Sequence, residues 1–428
     1  MPAELGSAFT LPCSIAIANR LCKAAMTEGL AEPGGVAGAR IARAYRTWAE
    51  GGAGLILTGN IMVDRRYRER PANIVVDGPQ SAHAVAGLSA FAAAAKSGGG
   101  VAIAQISHAG RQSPASIAPE PVGPSAVQVK LPGGLFATPR ALEADEIAEV
   151  IARFAATAKA CCDAGFDGVQ IHAAHGYLIS EFLNPLVNQR TDQWGGSLDN
   201  RARLLIETIR AVRAAVGPRK AVSVKLNSSD FQKGGFSFED CLKVVAMLDE
   251  EGVDLLEISG GNYEQPRMMG LEGTEPVFDG EVRESTRARE AYFMAYAEEV
   301  IKAANTPVMV TGGFRTRAAM EEALDAGVAM IGIGRPLCVL PDAPARLLAG
   351  AMDALPAFET DLALGEGFWG PHSASDLIKA ANGFAAMAFF YRNIIRLGEG
   401  APPKRQMNLL LALIAHQLEE LSDARVMG

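Results

Sequence analysis

Hydrophobic positions between residues 19 and 335 follow two alternating periods. Short apolar or β-branched runs fall at Leu55–Thr58, Val101–Ile106, Gly168–His172, Ala221–Leu226, Val253–Ile258, Pro307–Val310 and Val328–Ile333, with a less regular one at Leu21–Met26. Such runs mark strands buried on both faces. Between them, apolar residues spaced at three and four predict helices over Val36–Glu50, Ala82–Lys96, Ala144–Asp163, Leu198–Val216, Phe238–Glu251, Ala288–Ala304 and Arg317–Ala326. Strand and helix in strict alternation imply a parallel sheet, either a closed barrel or an open doubly wound one.

The polar and glycine-rich positions decide between the two. They sit just after the strands: Thr27, Asn60, Gln105 with His108, His172 with His175, Lys225, Ser259 to Asn262, Thr311 to Gly313, and Gly334 with Arg335. A barrel gathers all such strand ends around one mouth, whereas an open sheet spreads them along an edge. The expected fold is therefore α/β, a TIM (β/α)8 barrel. No G-x-G-x-x-G opens a helix after the first strand, which argues against a Rossmann domain.

Two stretches break the alternation. Residues 113–140 hold Pro114, Pro119, Pro121, Pro124, Pro132, Gly133, Gly134 and Pro139, too many breakers for a helix, and are expected to form a long loop or hairpin over the mouth. Residues 351–428 lie beyond the eighth unit, and their spacing (Leu377, Ala381, Phe384, Met387, then Leu409 to Leu421) predicts amphipathic helices. The expected organisation is a barrel over 1–350 and a helical C-terminal extension over 351–428, which completes the packing or supports a homo-oligomer.

Composition narrows the chemistry. Of 428 residues, 40 are Lys or Arg and 48 are Asp or Glu, for a net charge of −8. A chain that grips nucleic acid or anionic membrane needs a basic face, so neither partner is expected and a small-molecule substrate is. The 6 cysteines show no C-x-x-C spacing, so neither a zinc site nor a disulfide framework is read from them. The N-terminus lacks a basic start followed by an apolar stretch, and the late apolar runs are too short to span a bilayer, so a cytoplasmic protein is expected.

The strongest local signal is Gly168-Val-Gln-Ile-His172-Ala-Ala-His175-Gly-Tyr177, which brings two imidazoles and a phenol off one strand end. A single such histidine would be read as structural, and no third ligand accompanies the pair to make zinc. Gln105 offers a donor and an acceptor on one planar amide, suited to the edge of a heterocycle. Lys225 ends a buried strand and needs an anion, either a ligand or a neighbouring carboxylate. Gly312-Gly313 and Gly334-Arg335, after the seventh and eighth strands, supply unobstructed backbone N–H groups and a guanidinium where barrels commonly hold phosphate.

These segments, with Asn19-Arg20-Leu-Cys-Lys-Ala-Ala25-Met26-Thr27-Glu28, Gln105-Ile-Ser-His108-Ala-Gly-Arg111 and Asn184-Pro-Leu-Val-Asn-Gln-Arg190-Thr-Asp192-Gln-Trp-Gly-Gly-Ser-Leu-Asp-Asn200-Arg201, closely resemble the old yellow enzyme family of FMN-dependent NADH:flavin oxidoreductases across about residues 9–345. The resemblance implies FMN at the C-terminal mouth, reduced by NAD(P)H. It places Ala25 and Met26 beside the isoalloxazine and Thr27 near its C4 carbonyl. Gln105 falls on the pyrimidine edge, Asn60 at a backbone contact, and Lys225 by N1 and the C2 carbonyl. Gly312, Gly313, Gly334 and Arg335 fall at the phosphate. It casts His172 and His175 as the pair gripping the oxygen of a bound carbonyl, and Tyr177 as proton donor to the α-carbon while hydride reaches the β-carbon of an activated alkene.

The family often has Arg where Lys225 stands, and Lys cannot make the same fork. Members with a 4Fe–4S cluster and an FAD domain carry a cysteine run after the barrel. Here that region holds Cys338 alone, so neither is expected, and no metal is. Arg111, Arg190, Asp192, Asn200 and Arg201 are read as loop braces. The alternative within enzymes is a flavin-dependent dehydrogenase or demethylase of methylated amines. An RNA-modifying flavin barrel is disfavoured by the acidic balance, and a non-catalytic FMN scaffold by the His172, His175 and Tyr177 cluster.

Overall fold

The computed structural model describes residues 4–131, 134–230, 232–259 and 294–427. Among them, eight parallel strands close on themselves: β1 (Leu21–Lys23), β2 (Leu55–Leu57), β3 (Val101–Ser107), β4 (Gly168–Ala173), β5 (Ala221–Asn227), β6 (Leu255–Ser259), β7 (Val308–Thr311) and β8 (Met330–Ile333). β8 pairs with β1 through Ile331↔Leu21, and β3 pairs with β4 through Gln170↔Gln105, which completes the ring. Two short strands, Ile61–Met62 and Ile74–Val75, continue beside the end of β3. Every residue of β1 to β6 and β8 is buried, as strands walled by helices and an interior core require.

The helices around the ring are α1 (Ala39–Ala49), α2 (Ala82–Ala95), α3 (Ala144–Asp163), α4 (Leu198–Val216), α5 (Phe238–Glu250), α6 (Met294–Ala303), α7 (Arg317–Asp325) and α8 (Ala343–Leu348). Their starts follow from local chemistry. Ser81, Ser197, Ser237 and Thr316 each accept a first-turn N–H, and Glu143 with Glu146 forms a reciprocal cap on α3. Gly217, at φ +81°, ends α4 in a conformation that costs other residues more.

The base of the ring is closed by an antiparallel pair, Phe9–Thr10 with Ala16–Ile17. Leu11 and Ile17 pack there against Cys22, Leu55, Leu57, Val101, Ile103, Ala221, Leu255 and Met309. The opposite end is polar. The 113–140 segment contributes a short ladder, Val122–Gly123 with Arg140–Ala141, and its strands run parallel, so it is not a simple hairpin. The C-terminal extension adds two long helices, α9 (Asp376–Glu399) and α10 (Leu409–Met427). Phe389, Phe390, Ile394, Ile395 and Leu397 of α9 join the same hydrophobic cluster as Ile41, Tyr45 and Trp48 of α1. Residues 260–293, which include Gly260 to Asn262 and the start of the helix expected from Ala288, lie outside the described residues.

Candidate active site

The predicted residues collect at the polar mouth. The β4–β5 register sets His172 level with Lys225, and the β5–β6 register sets Lys225 level with Glu257 and Asn227 level with Ser259. After β4 the chain turns sharply through two left-handed residues, His175 at φ +63° and Gly176 at φ +79°. A non-glycine residue there is uncommon and marks a position held by its surroundings. The Asn227 side chain supplies that hold, its Oδ1 accepting the His175 backbone N–H at 3.1 Å. The turn folds Tyr177 back over His172, with ring centroids 4.7 Å apart, while the two imidazoles lie edge to face at 5.1 Å.

All four imidazole nitrogens are engaged. His172 Nδ1 lies 2.9 Å from Asn60 Oδ1, His172 Nε2 lies 3.2 Å from His175 Nδ1, and His175 Nε2 lies 2.7 Å from Ser259 Oγ. Burial, with the Lys225 cation adding to it, holds both rings well below the usual histidine range, so both are neutral at pH 7. One ordering of hydrogens then satisfies the chain: Ser259 donates to His175, His175 to His172, and His172 to Asn60. The facing pair of nitrogens is where a ligand oxygen would take the place of one imidazole.

Beneath them lies a buried polar layer. Gln105 Nε2 donates to Gln170 Oε1 at 2.7 Å, Gln170 Nε2 donates to Glu257 Oε2 at 2.9 Å, and Lys225 Nζ lies 2.9 Å from Glu257 Oε1. The cation that ends β5 therefore has the neighbouring carboxylate named as its second option, and Gln105 is braced by a residue the sequence reading passed over. Asn60, expected to act through its backbone, acts here through its side chain.

Ala25, Met26 and Thr27 leave β1 partly exposed. Met26 Sδ accepts the Cys338 thiol at 3.6 Å. Thr27 donates its hydroxyl to Glu69, and Tyr177 donates to the other oxygen of the same carboxylate. Glu69 is the residue most clearly missed. It lies within Asp64-Arg-Arg-Tyr-Arg-Glu-Arg70, a charge run that reads as a solvated face, yet it is only 7% exposed. Its place one loop after β2 was the available signal.

At the tips of β7 and β8, Gly312 (φ +127°) and Gly313 (φ +76°) are left-handed, and a Cβ on Gly334 would meet only Met26 Sδ, at 3.9 Å. Thr311 Oγ1 is buried with no hydrogen-bond partner among the described residues. The Arg335 guanidinium is 39% exposed and lies 3.6 Å from Glu359 of the extension. Bare backbone, an orphaned hydroxyl and a guanidinium at neighbouring strand ends make a donor set that fits a phosphate, and the amide and cation at the ends of β3 and β5 fit a polar ring edge. The residues present therefore fit FMN.

Fold and site together define a flavin-binding barrel oxidoreductase. Residues 12–353 match the NADH:flavin oxidoreductase / NADH oxidase family, and the chain belongs to it. It is 36% identical over 365 residues to an NADH-dependent flavin oxidoreductase of Hypocrea jecorina, covering 81% of this chain and 90% of that protein. It is 35% identical to one from a Neonectria species, covering 79% of this chain but 46% of the longer relative. Among solved structures, the old yellow enzyme homologue of Zymomonas mobilis superposes with a TM-score of 0.68 at 27% identity, covering 83% of this chain and 96% of that one. The chain is accordingly an enzyme, with FMN as cofactor and NADH as reductant. Among the described residues no helix is long and apolar enough to cross a membrane.

Proposed function

We propose that the chain is an ene-reductase that reduces C=C bonds conjugated to a carbonyl or nitro group. The observation that carries this reading is the packing of Tyr177, His172 and His175 into one buried cluster at the mouth. FMN, when bound, supplies the hydride it has taken from NADH. The protein's own part is to bind the activating oxygen and deliver a proton. A carbonyl oxygen that takes the place of His172 Nε2 as the partner of His175 Nδ1 accepts the N–H of His175, whose hydrogen is fixed there because the Ser259 hydroxyl donates to the nitrogen on the far side. Polarising that oxygen stabilises the enolate charge. Tyr177 then gives its hydroxyl proton to the α-carbon, which is basic enough to take it from a phenol. Gly312, Gly313, Gly334 and Arg335 hold the phosphate, Gln105 and Lys225 the ring edge, and Ala25 and Met26 flank the ring.

The test is anaerobic. Enzyme reduced with NADH should be rapidly reoxidised by cyclohexenone. Tyr177→Phe should still bleach with NADH yet lose enone-dependent reoxidation by a factor of about 10²–10⁴, the range that general acids contribute. Bleaching of the oxidised enzyme by a tertiary amine, with no response to enone, would overturn the proposal.

A further inference from the structure

Two hydroxyls that the sequence places at the site meet on one carboxylate. Glu69 Oε1 accepts the Thr27 hydroxyl, and also the Asn73 amide at 3.3 Å, while Oε2 accepts the Tyr177 hydroxyl. The loop carrying Glu69 is pinned on both sides. Arg68 Nη1 donates to the Pro71 carbonyl at 3.0 Å, and the Arg68 carbonyl accepts the Ser113 hydroxyl at 2.7 Å. Asn73 Oδ1 accepts the Arg70 backbone N–H at 2.8 Å, and the Arg70 guanidinium lies 3.7 Å over the Tyr391 ring while pairing with Glu420. A carboxyl this enclosed is costly unless its oxygens are used, and both are used by groups of the site.

We propose that Glu69 is the positioning residue of Tyr177, aiming its hydroxyl and returning the proton it gives away; this deepens the ene-reductase reading and rests on it. When the Tyr177 O–H bond breaks and a C–H bond forms at the α-carbon, the electron pair of the O–H bond stays on the phenolate oxygen. Two donors already occupy Oε1, so a proton entering from water sits on Oε2, the oxygen facing Tyr177. It passes to the phenolate, leaving phenol and carboxylate as before. With the hydride drawn from NADH, each alkene gains one hydride and one proton, and the balance closes.

Glu69→Gln keeps the shape and a hydrogen bond to Tyr177 but carries no proton, whereas Glu69→Ala loses both. Each is prepared as holoenzyme, with FMN content and melting temperature recorded. In Glu69→Gln, NADH bleaching and the first enone turnover in a stopped-flow mix should stay within about threefold of wild type, while steady-state turnover falls about tenfold or more, because only the return of the proton is blocked. Added formate should restore part of the steady-state rate of Glu69→Ala. In ultraviolet titrations of the holoenzymes, differenced against Tyr177→Phe, the Tyr177 ionisation should move to lower pH in Glu69→Gln, because one neighbouring negative charge has gone. Wild-type steady-state rates in both variants overturn the proposal, as does an equal fall of first and later turnovers without formate rescue. Failure of the wild type itself to reduce enone sinks the ene-reductase reading instead, whereas full enone activity in Tyr177→Phe leaves that reading standing and overturns the role given to Glu69. If Glu69→Ala does not fold, the Gln variant's split between first and later turnovers decides.

Discussion

Asp230 shows how one buried residue ties pH to the site. It accepts from the Asn227 amide at 2.8 Å, and that same Asn227 holds the strained His175 backbone. Burial pushes its carboxyl up to about 6, against the pull of the Asn227 hydrogen bond. A carboxyl whose folded value is raised binds its proton more tightly in the native state, so its contribution is fully present below the unfolded value near 4 and is lost as pH rises through about 6. The amount is about 3 kcal/mol by linkage. The two imidazoles act in the opposite sense: their values are lowered on folding, so their contribution is full above about 6.5 and is lost as pH falls below it. Asp230→Asn removes the first effect alone. In urea titrations at pH 5 and pH 7.5, the variant should gain stability relative to wild type at the higher pH and lose about half of that advantage at the lower. An unchanged difference between the two pH values would refute it.

At the scale of elements, β7 and β8 run close where the proposed phosphate cradle begins. A Cβ on Gly332 would lie 1.9 Å from Thr311 Oγ1 and 2.8 Å from its Cβ. Gly332→Ala must therefore push the two strands apart, at a cost of about 1–3 kcal/mol as overpacked cores show. It should lower the melting temperature and the FMN retained on gel filtration, and retention at the wild-type level would count against this role for the strand spacing. The elements themselves were largely legible. α3 and α4 have the predicted bounds, because caps and apolar spacing are local signals. β1 stops at Lys23, short of the expected Met26, since the chain there leaves the sheet to line the mouth. The polar partners were harder to read. Glu257 and Gln170 matter through register across strands, and the Asn60 side chain and Glu69 through the return of the chain after β2, neither of which any local pattern encodes.

Across the whole molecule, the C-terminal extension reaches the chemistry it follows. Tyr391 from α9 and Glu420 from α10 clasp Arg70, the neighbour of Glu69, and the Tyr391 and His416 rings stack at 5.0 Å beside them. Burial raises the Tyr391 phenol, and it holds His416 down at about 4, so neither is charged near neutrality. Glu420→Ala would leave the part-buried Arg70 cation without this ion-pair partner, at a cost below the about 3–5 kcal/mol that breaking a fully buried pair carries. Thermal unfolding should register that loss, and turnover with enone should fall more than NADH bleaching because the Glu69 loop loses its outer anchor. Equal effects on the two half-reactions would show the extension to be a stabilising cap only.

The two-stranded plug at the base of the ring has a kinetic counterpart. With that end packed by Leu11 and Ile17, the proposed reading has electron donor and electron acceptor both enter at the polar mouth and visit by turns. Double-reciprocal plots at several fixed enone concentrations should accordingly give parallel lines, and a large excess of enone should slow the enzyme by blocking the donor's entry.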